Sequence, residues 1–163
     1  MDQLKKAAQE AAEKLKEKMA KNPLEKALNE ATSDVNWNAS NKVLQEIADH
    51  TYSFGDFTEV MKHIWKKMGS ERKAWRRILK TLSLIEFLIK NGSPRCIQEF
   101  RDEIYQIRTL QDFSHYEDGQ DRGAAIREVA KRVVQLLGDE QKIDEERKKA
   151  QEYFQGFTKT FHI

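Results

Sequence analysis

The sequence predicts an all-α protein, a compact bundle or solenoid-like stack of about eight helices. Three observations predict it. Apolar residues recur at i, i+3, i+4 and i+7 through most of the chain, the spacing of one helix face. Only seven glycines and two prolines occur in 163 residues, about half the usual share and too few for a sheet fold with a turn every dozen residues. No segment shows the clear period-two alternation of a half-buried strand.

The length fits one domain, and 39% hydrophobic residues suffice for one core. The net charge is only +2, although 34% of residues are charged. A single cysteine, Cys96, excludes a disulfide scaffold and a cysteine-based zinc site. No apolar run approaches the length of a membrane span, and the N-terminal residues lack the apolar stretch of a signal peptide. A soluble, cytosolic protein is expected.

The first helix is expected over residues 2–21, ended by Asn22-Pro23. With Leu15 at zero and about 100° per residue, Leu4, Ala8, Ala11 and Met19 fall within roughly 40° of it. Lys5 and Lys16 border that face on one side, Lys14 and Lys18 on the other, and Glu10, Glu13 and Glu17 occupy the opposite pole. This is the layout of a helix lying in a membrane interface, with Leu4, Leu15 and Met19 as inserting residues. The face is mostly alanine, so a second, electrostatic contact is needed to hold it. The same pattern also fits an ordinary amphipathic helix packed on the body, or a solvated extension.

A short helix follows over residues 24–32, then a loop of capping residues over 33–40. The third helix starts near Ser40 with Val43, Leu44, Ile47 and Ala48 inward. Asp56 is expected to cap the fourth, which buries Phe57, Val60, Met61, Ile64 and Trp65 and ends near Gly69. The fifth, residues 72–91, is apolar nearly all round in its second half, so neighbours must bury it on several sides. Gly92 ends it, and Ser93-Pro94 restarts the chain as N-cap and first helical residue. Ile97, Phe100, Ile104, Ile107 and Leu110 continue a helical stripe. Residues 114–123 read as a polar loop, 124–137 as an amphipathic helix closed by Gly138, and a charged helix begins near Asp139. Residues 153–163 form a tail with no clear period. Trp37, Trp65 and Trp75 are expected in the core.

Charge is unevenly spread. Lys62–Lys80 holds Lys62, Lys66, Lys67, Arg72, Lys73, Arg76, Arg77 and Lys80 against one acid, Glu71. That excess marks a basic patch. Lys67 and Lys73 flank a turn, and Arg77 lies one helical turn beyond Lys73, so the three can converge on one phosphorylated group. A solvated basic face is the plainer reading. No nucleic-acid-binding signature accompanies the patch, and nucleic acid is not expected as a partner. Catalysis is not expected either. There is no GxxxxGKS/T, GxSxG or HExxH motif, the four histidines are scattered, and Cys96 has no evident base partner. No metal site is expected.

Several spaced segments, in order, resemble the epsin N-terminal homology (ENTH) family. They are Glu30-Ala-Thr-Ser-Asp-Val-Asn-Trp37, Glu46-Ile-Ala-Asp49, Thr51-Tyr52, Ile64-Trp65-Lys66-Lys67, Trp75-Arg76-Arg77, Leu88-Ile89-Lys90-Asn91-Gly92-Ser93, Asp118-Gly119-Gln120-Asp121-Arg122-Gly123, Ile126-Arg127 and Glu145-Glu146-Arg147. The resemblance spans residues 24–150. It implies a right-handed superhelical stack of about eight helices with an N-terminal amphipathic helix, and no cofactor. It also implies a clathrin-associated adaptor function: phosphoinositide binding coupled to insertion of the first helix into the cytosolic leaflet, which favours curvature. The headgroup pocket falls on Lys67, Lys73 and Arg77. Asn29 stands where plasma-membrane epsins have an arginine, and the acid Asp34 where they have an asparagine. Asp34 and Arg76-Arg77 look more like the branch at the trans-Golgi network and endosomes, linked to phosphatidylinositol 4-phosphate rather than the 4,5-bisphosphate. The first helix does not align residue by residue, so Lys14 and Lys18 are assigned from geometry alone. The Lys-rich motif of the sister ANTH-type domains is absent.

The expected organisation is a membrane-inserting helix over 1–22, a helical body over 23–152 and a tail over 153–163. The expected location is peripheral membrane, at the trans-Golgi network, endosome or clathrin-coated vesicle, with the plasma membrane as alternative. Expected partners are a phosphoinositide-containing membrane, SNARE cargo, and clathrin coat and adaptor complexes, the last engaged by regions outside this chain. The rival reading is a protein-interaction module that docks an acidic or SNARE-type partner on Lys62–Lys80 without lipid specificity. No clathrin-binding box or ubiquitin-interacting helix is evident, which suggests a domain of a longer adaptor or a reduced family member.

Overall fold

The computed structural model describes residues 2–18 and 22–161, except for the side chains of residues 14, 16–18 and 154–161. The described residues form nine helices. They are α1 (Asp2–Lys18), α2 (Pro23–Ala31), α3 (Asn41–His50), α4 (Phe54–Met68), α5 (Trp75–Asn91), α6 (Pro94–Asp102), α7 (Ile104–Arg108), α8 (Ala124–Leu137) and α9 (Glu140–Phe161). A 3-10 turn, Arg72–Ala74, leads into α5, and another, Thr109–Asp112, follows α7. The architecture is an all-α superhelical stack. No described helix is long and apolar enough to cross a membrane.

α5 is the axis of the stack. Its buried residues include Ile78, Leu82, Leu84, Ile85, Leu88 and Ile89, which fall on more than one face of the helix. It packs against α3, α4, α6, α8 and α9. Ile47 and Ala48 from α3, Val60 and Ile64 from α4, Phe100 from α6 and Ile126, Ala130 and Val133 from α8 complete the core. Trp65 packs edge-on against Phe100 with ring centroids 6.1 Å apart, and its Nε1 donates to Glu99 Oε1 at 3.2 Å.

The C-terminal end of α5 is closed by other helices. Arg147 of α9 donates to the Ile89 and Gly92 carbonyls, each at 2.8 Å. Tyr52 Oη donates to the Gly92 carbonyl at 3.3 Å, and the Ser93 N–H donates to Thr51 Oγ1 at 2.9 Å. The bonds from Arg147 and Tyr52 satisfy carbonyls that a helix end leaves open, and Thr51 satisfies the Ser93 N–H. The chain turns tightly here. A Cβ on Gly92 would lie 2.8 Å from the Leu88 carbonyl oxygen and 3.0 Å from Cys96 Sγ. Cys96 is buried and burial raises its pKa, as an inert core thiol requires.

Four expectations are corrected. Ser53, not Asp56, is the N-cap of α4, and the helix starts at Phe54. Asp56 lies in the first turn, where its charge suits the helix dipole, and accepts from His50 Nδ1 at 3.0 Å. Residues 114–123 are not only a loop: β1 (Tyr116–Glu117) pairs antiparallel with β2 (Gln120–Asp121) across Asp118-Gly119. Both turn residues have positive φ, 53° and 75°, the mark of a tight hairpin turn. α9 runs on to Phe161, past the start of the expected tail. Trp37 is 69% exposed rather than core, because the 33–40 loop lays it outside the packed layers; Trp65 and Trp75 pack against the core edge.

Gly92→Ala is expected to destabilise the fold by about 1–3 kcal/mol, since the new methyl meets a backbone oxygen that cannot yield. Thermal unfolding of the two proteins checks this; an unchanged midpoint would contradict the close approach.

Candidate functional site

The basic run falls on the end of α4, the turn after it and the start of α5. A cavity of about 500 Å³ opens there, lined by Lys6 of α1, Asp34, Ser70, Glu71, Lys73, Ala74 and Arg77. The body supplies most of this wall because α5 holds the end of α2. Arg77 Nε donates to the Thr32 carbonyl at 3.1 Å. Lys80 Nζ donates to Ser33 Oγ at 2.8 Å and to the Glu30 carbonyl at 3.4 Å. Two cations of α5 thus satisfy carbonyls at the α2 terminus and bring the 32–34 segment, with Asp34, to the cavity. Arg77 spends only Nε on this contact, which leaves its two terminal nitrogens for a ligand.

Lys73 is exposed and lies 3.3 Å from Glu71, a surface pair that an incoming anion replaces easily. Lys67 does not line the cavity but lies close by. Burial pushes its pKa below the usual lysine range, the charges of Arg77 and Lys66 add to this, and Glu13 of α1 opposes it. Burial also lowers the Lys80 pKa, against Glu30 and Asp34. The cations therefore crowd one another, and an anion bound among them relieves that repulsion.

His63 lies beneath this cluster. Thr32 Oγ1 donates to the Leu28 carbonyl at 2.7 Å and pairs with His63 Nε2 at 2.8 Å. The hydroxyl has one hydrogen, so Nε2 carries the hydrogen of the second bond. Burial first, then the charge of Lys67, lowers the His63 pKa from 6.5 to about 4. The ring is neutral at physiological pH.

The expected residues are only partly brought together. Lys73, Arg77 and Asp34 line the cavity, and Lys67 adjoins Arg77. Asn29 is half-buried on α2 and does not line it. Arg76 does not line it either: it points to the other side of α5 and stacks on Trp75, with Cζ 4.4 Å from the ring centroid. The side chains of Lys14 and Lys18, and the whole of Met19, lie outside the described residues. Leu4 and Leu15 are 75% and 61% exposed, so α1 does not pack its apolar stripe on the body.

Lys6 was not among the expected ligands. At about 100° per residue it lies about 180° from Leu15, on the same pole as Glu13. That pole meets the basic cluster, with Lys6 at the cavity and Glu13 acting on Lys67. The signal was the polar pole of the helix rather than the borders of its apolar face.

The ENTH domain family model matches residues 21–143. The chain belongs to the ENTH domain family. Human Epsin-1 (Homo sapiens) is 44% identical over 119 residues, covering 72% of this chain and 21% of the relative. The chain thus spans about one fifth of the length of that relative. The crystal structure of the human epsinR ENTH domain superposes with a TM-score of 0.76 at 36% identity, covering 80% of this chain and 98% of that one. The epsin-2 ENTH domain in complex with phosphatidylinositol 4,5-bisphosphate superposes with a TM-score of 0.76 at 32% identity, covering 80% and 92%. In this ENTH domain the cavity holds three cations, Lys6, Lys73 and Arg77, with two acids, Asp34 and Glu71, in the same wall.

The folded pKa of His63 lies below its unfolded value, so its contribution to stability is complete above pH 6.5 and is lost as the pH falls towards 4. Unfolding free energy is expected to drop by about 2–3 kcal/mol across that window. Urea titrations at stepped pH check this, and His63→Gln should flatten the slope. An equal slope in the variant would assign the effect to other groups.

Proposed function

We propose that this ENTH domain is a phosphoinositide-dependent, peripheral membrane-binding adaptor module of clathrin-associated trafficking. One observation carries the reading: the cavity takes cations from both α1 and the body, while the apolar stripe of α1 faces away from the body. A headgroup phosphate bridging Lys6 to Lys73 and Arg77, with Lys67 behind, fixes α1 over the cavity. Leu4 and Leu15 are then presented to the cytosolic leaflet, with Met19 next along the chain. Their burial adds roughly 1.5–3 kcal/mol each at most, so neither contact alone anchors the protein. The likeness to an epsin-2 domain bound to phosphatidylinositol 4,5-bisphosphate supports the ligand class.

Asp34 and Glu71 favour a headgroup with fewer phosphates, phosphatidylinositol 4-phosphate, which accords with a trans-Golgi or endosomal site. SNARE cargo, and clathrin coat and adaptor complexes reached through other regions, remain the proposed partners. No catalytic role is proposed. A domain that serves only as a protein-docking module would bind its partner without any response to lipid.

Sedimentation with liposomes of equal surface charge, from phosphatidylserine, phosphatidylinositol 4-phosphate or the 4,5-bisphosphate, tests the reading. Selective binding to the monophosphate is expected. Lys73→Glu should weaken it roughly thirtyfold, at about 1 kcal/mol per unit charge near the surface, without moving the thermal midpoint. Asp34→Asn should raise affinity for the bisphosphate a few-fold. Unchanged binding by Lys73→Glu would overturn the pocket, and equal binding to all three lipids would overturn headgroup selectivity.

A further inference from the structure

The 3-10 turn Arg72–Ala74 and the start of α5 carry cations in two rows. Lys73 and Arg77, four residues apart, line the headgroup cavity. Arg72 and Arg76, also four apart, lie about 100° further round and face the β1–β2 hairpin instead. Arg122, just after β2, shares the Trp75 ring with Arg76. Arg76 Cζ lies 4.4 Å and Arg122 Cζ 5.4 Å from the centroid of the same Trp75 ring. Arg72 Cζ lies 5.7 Å from the Phe113 ring centroid, and its Nη1 donates to the Ser114 carbonyl at 2.9 Å.

These three arginines differ from three others that bridge elements. Arg101, Arg127 and Arg132 each pair with a carboxylate, those of Glu140, Asp121 and Glu86. Among the described residues none of Arg72, Arg76 and Arg122 has a carboxylate at ion-pair distance. The Nε atoms of Arg76 and Arg122 are buried without a hydrogen-bond partner. The hairpin acid that faces Trp75, Glu117, is already engaged: it accepts from Trp75 Nε1 at 3.3 Å and lies 3.5 Å from His115 Nε2.

Stacking on an aromatic ring orients a guanidinium but leaves its charge in place. Arg76 and Arg122 on one ring repel each other, Arg72 adds a third charge nearby against the single acid Glu117, and the adjacent N-terminal end of α5 adds partial positive charge. A phosphate meets all of these conditions, since its oxygens match the donor forks of arginine. We infer that Arg72, Arg76 and Arg122 form a second phosphate-binding site, which takes the phosphate of a second anionic phospholipid beside the headgroup cavity. This rests on the membrane reading above. Exposed Arg72 adjoins Lys73 in the same turn, so a membrane that reaches Lys73 reaches Arg72.

Two measurements test it on the whole chain. In the first, vesicles carry a fixed fraction of phosphatidylinositol 4-phosphate, with or without phosphatidylserine. The Arg72→Gln/Arg122→Gln variant should match the wild type within about twofold on vesicles without phosphatidylserine. It should bind roughly tenfold more weakly when phosphatidylserine is present. A charge-matched control, Lys42→Gln/Lys131→Gln, should keep wild-type affinity; an equal loss there reduces the effect to net charge and overturns the site. In the second, NMR follows the Arg76 and Arg122 Nε–H and Trp75 indole N–H signals as glycerol phosphate is added. Saturable shifts are expected in the wild type and equally in Lys73→Glu, in which the headgroup cavity is disabled. Absent shifts, or shifts lost in Lys73→Glu, overturn a separate site. Shifts that persist while vesicle binding ignores the arginine substitutions overturn its assignment to lipid. Failure of the cavity itself reads out separately, as undiminished monophosphate binding by Lys73→Glu.

Discussion

The structure depends on one helix that is unlike itself at its two ends. The second half of α5 is apolar on several sides and is stable only when other helices cover it. Its first turns and the segment before it carry Arg72, Lys73, Arg76 and Arg77, which cannot be buried together without anions. Folding therefore encloses one end and leaves the other at the surface. α3, α4, α6, α8 and α9 gather round the apolar half, and what remains open is a basic end to which α2, α1 and the hairpin each contribute an edge.

The transition between those halves is where the chemistry is set. Lys80 is buried by the neighbouring helices yet keeps hydrogen bonds to Ser33 and Glu30. Arg77, one turn earlier, holds the Thr32 carbonyl and still faces the cavity. A neutral His63 fills the space below them; a third positive charge there would add to repulsion that the cluster already bears. Core packing and the cavity wall meet in the same few residues, so substitutions at Thr32, His63 or Lys80 affect both.

Helical periodicity made most of the fold legible, because the stripes of the body helices face the core, unlike that of α1: Ile47 and Ala48, Val60 and Ile64, and Ile126, Ala130, Val133, Leu136 and Leu137 are all buried. The pocket cations were legible from their spacing about one turn. Other features depended on tertiary context. Arg76 is adjacent to Arg77 in sequence but 100° away around the helix, and only the position of Trp75 and the hairpin decides which way it points. The hairpin had a local signal, Asp118-Gly119, but its strands are two residues long, too short for alternation to show. Trp37 gave no local sign of exposure, since composition alone marks tryptophan as a core residue. Lys6 lies on the polar pole of α1, opposite Leu4 and Leu15, and only the placement of that helix against the body brings it to the cavity.

The bonds from Arg147 to the Ile89 and Gly92 carbonyls give the stack a mechanical property. Between Trp75 and Asn91 there is no glycine or proline, so α5 is an uninterrupted strut about 25 Å long. Its basic end stands at the cavity and its other end is pinned to α9. Two charge-assisted bonds from Arg147 thus tie α9 to α5, and no breaker within α5 offers a hinge between that tie and the basic end.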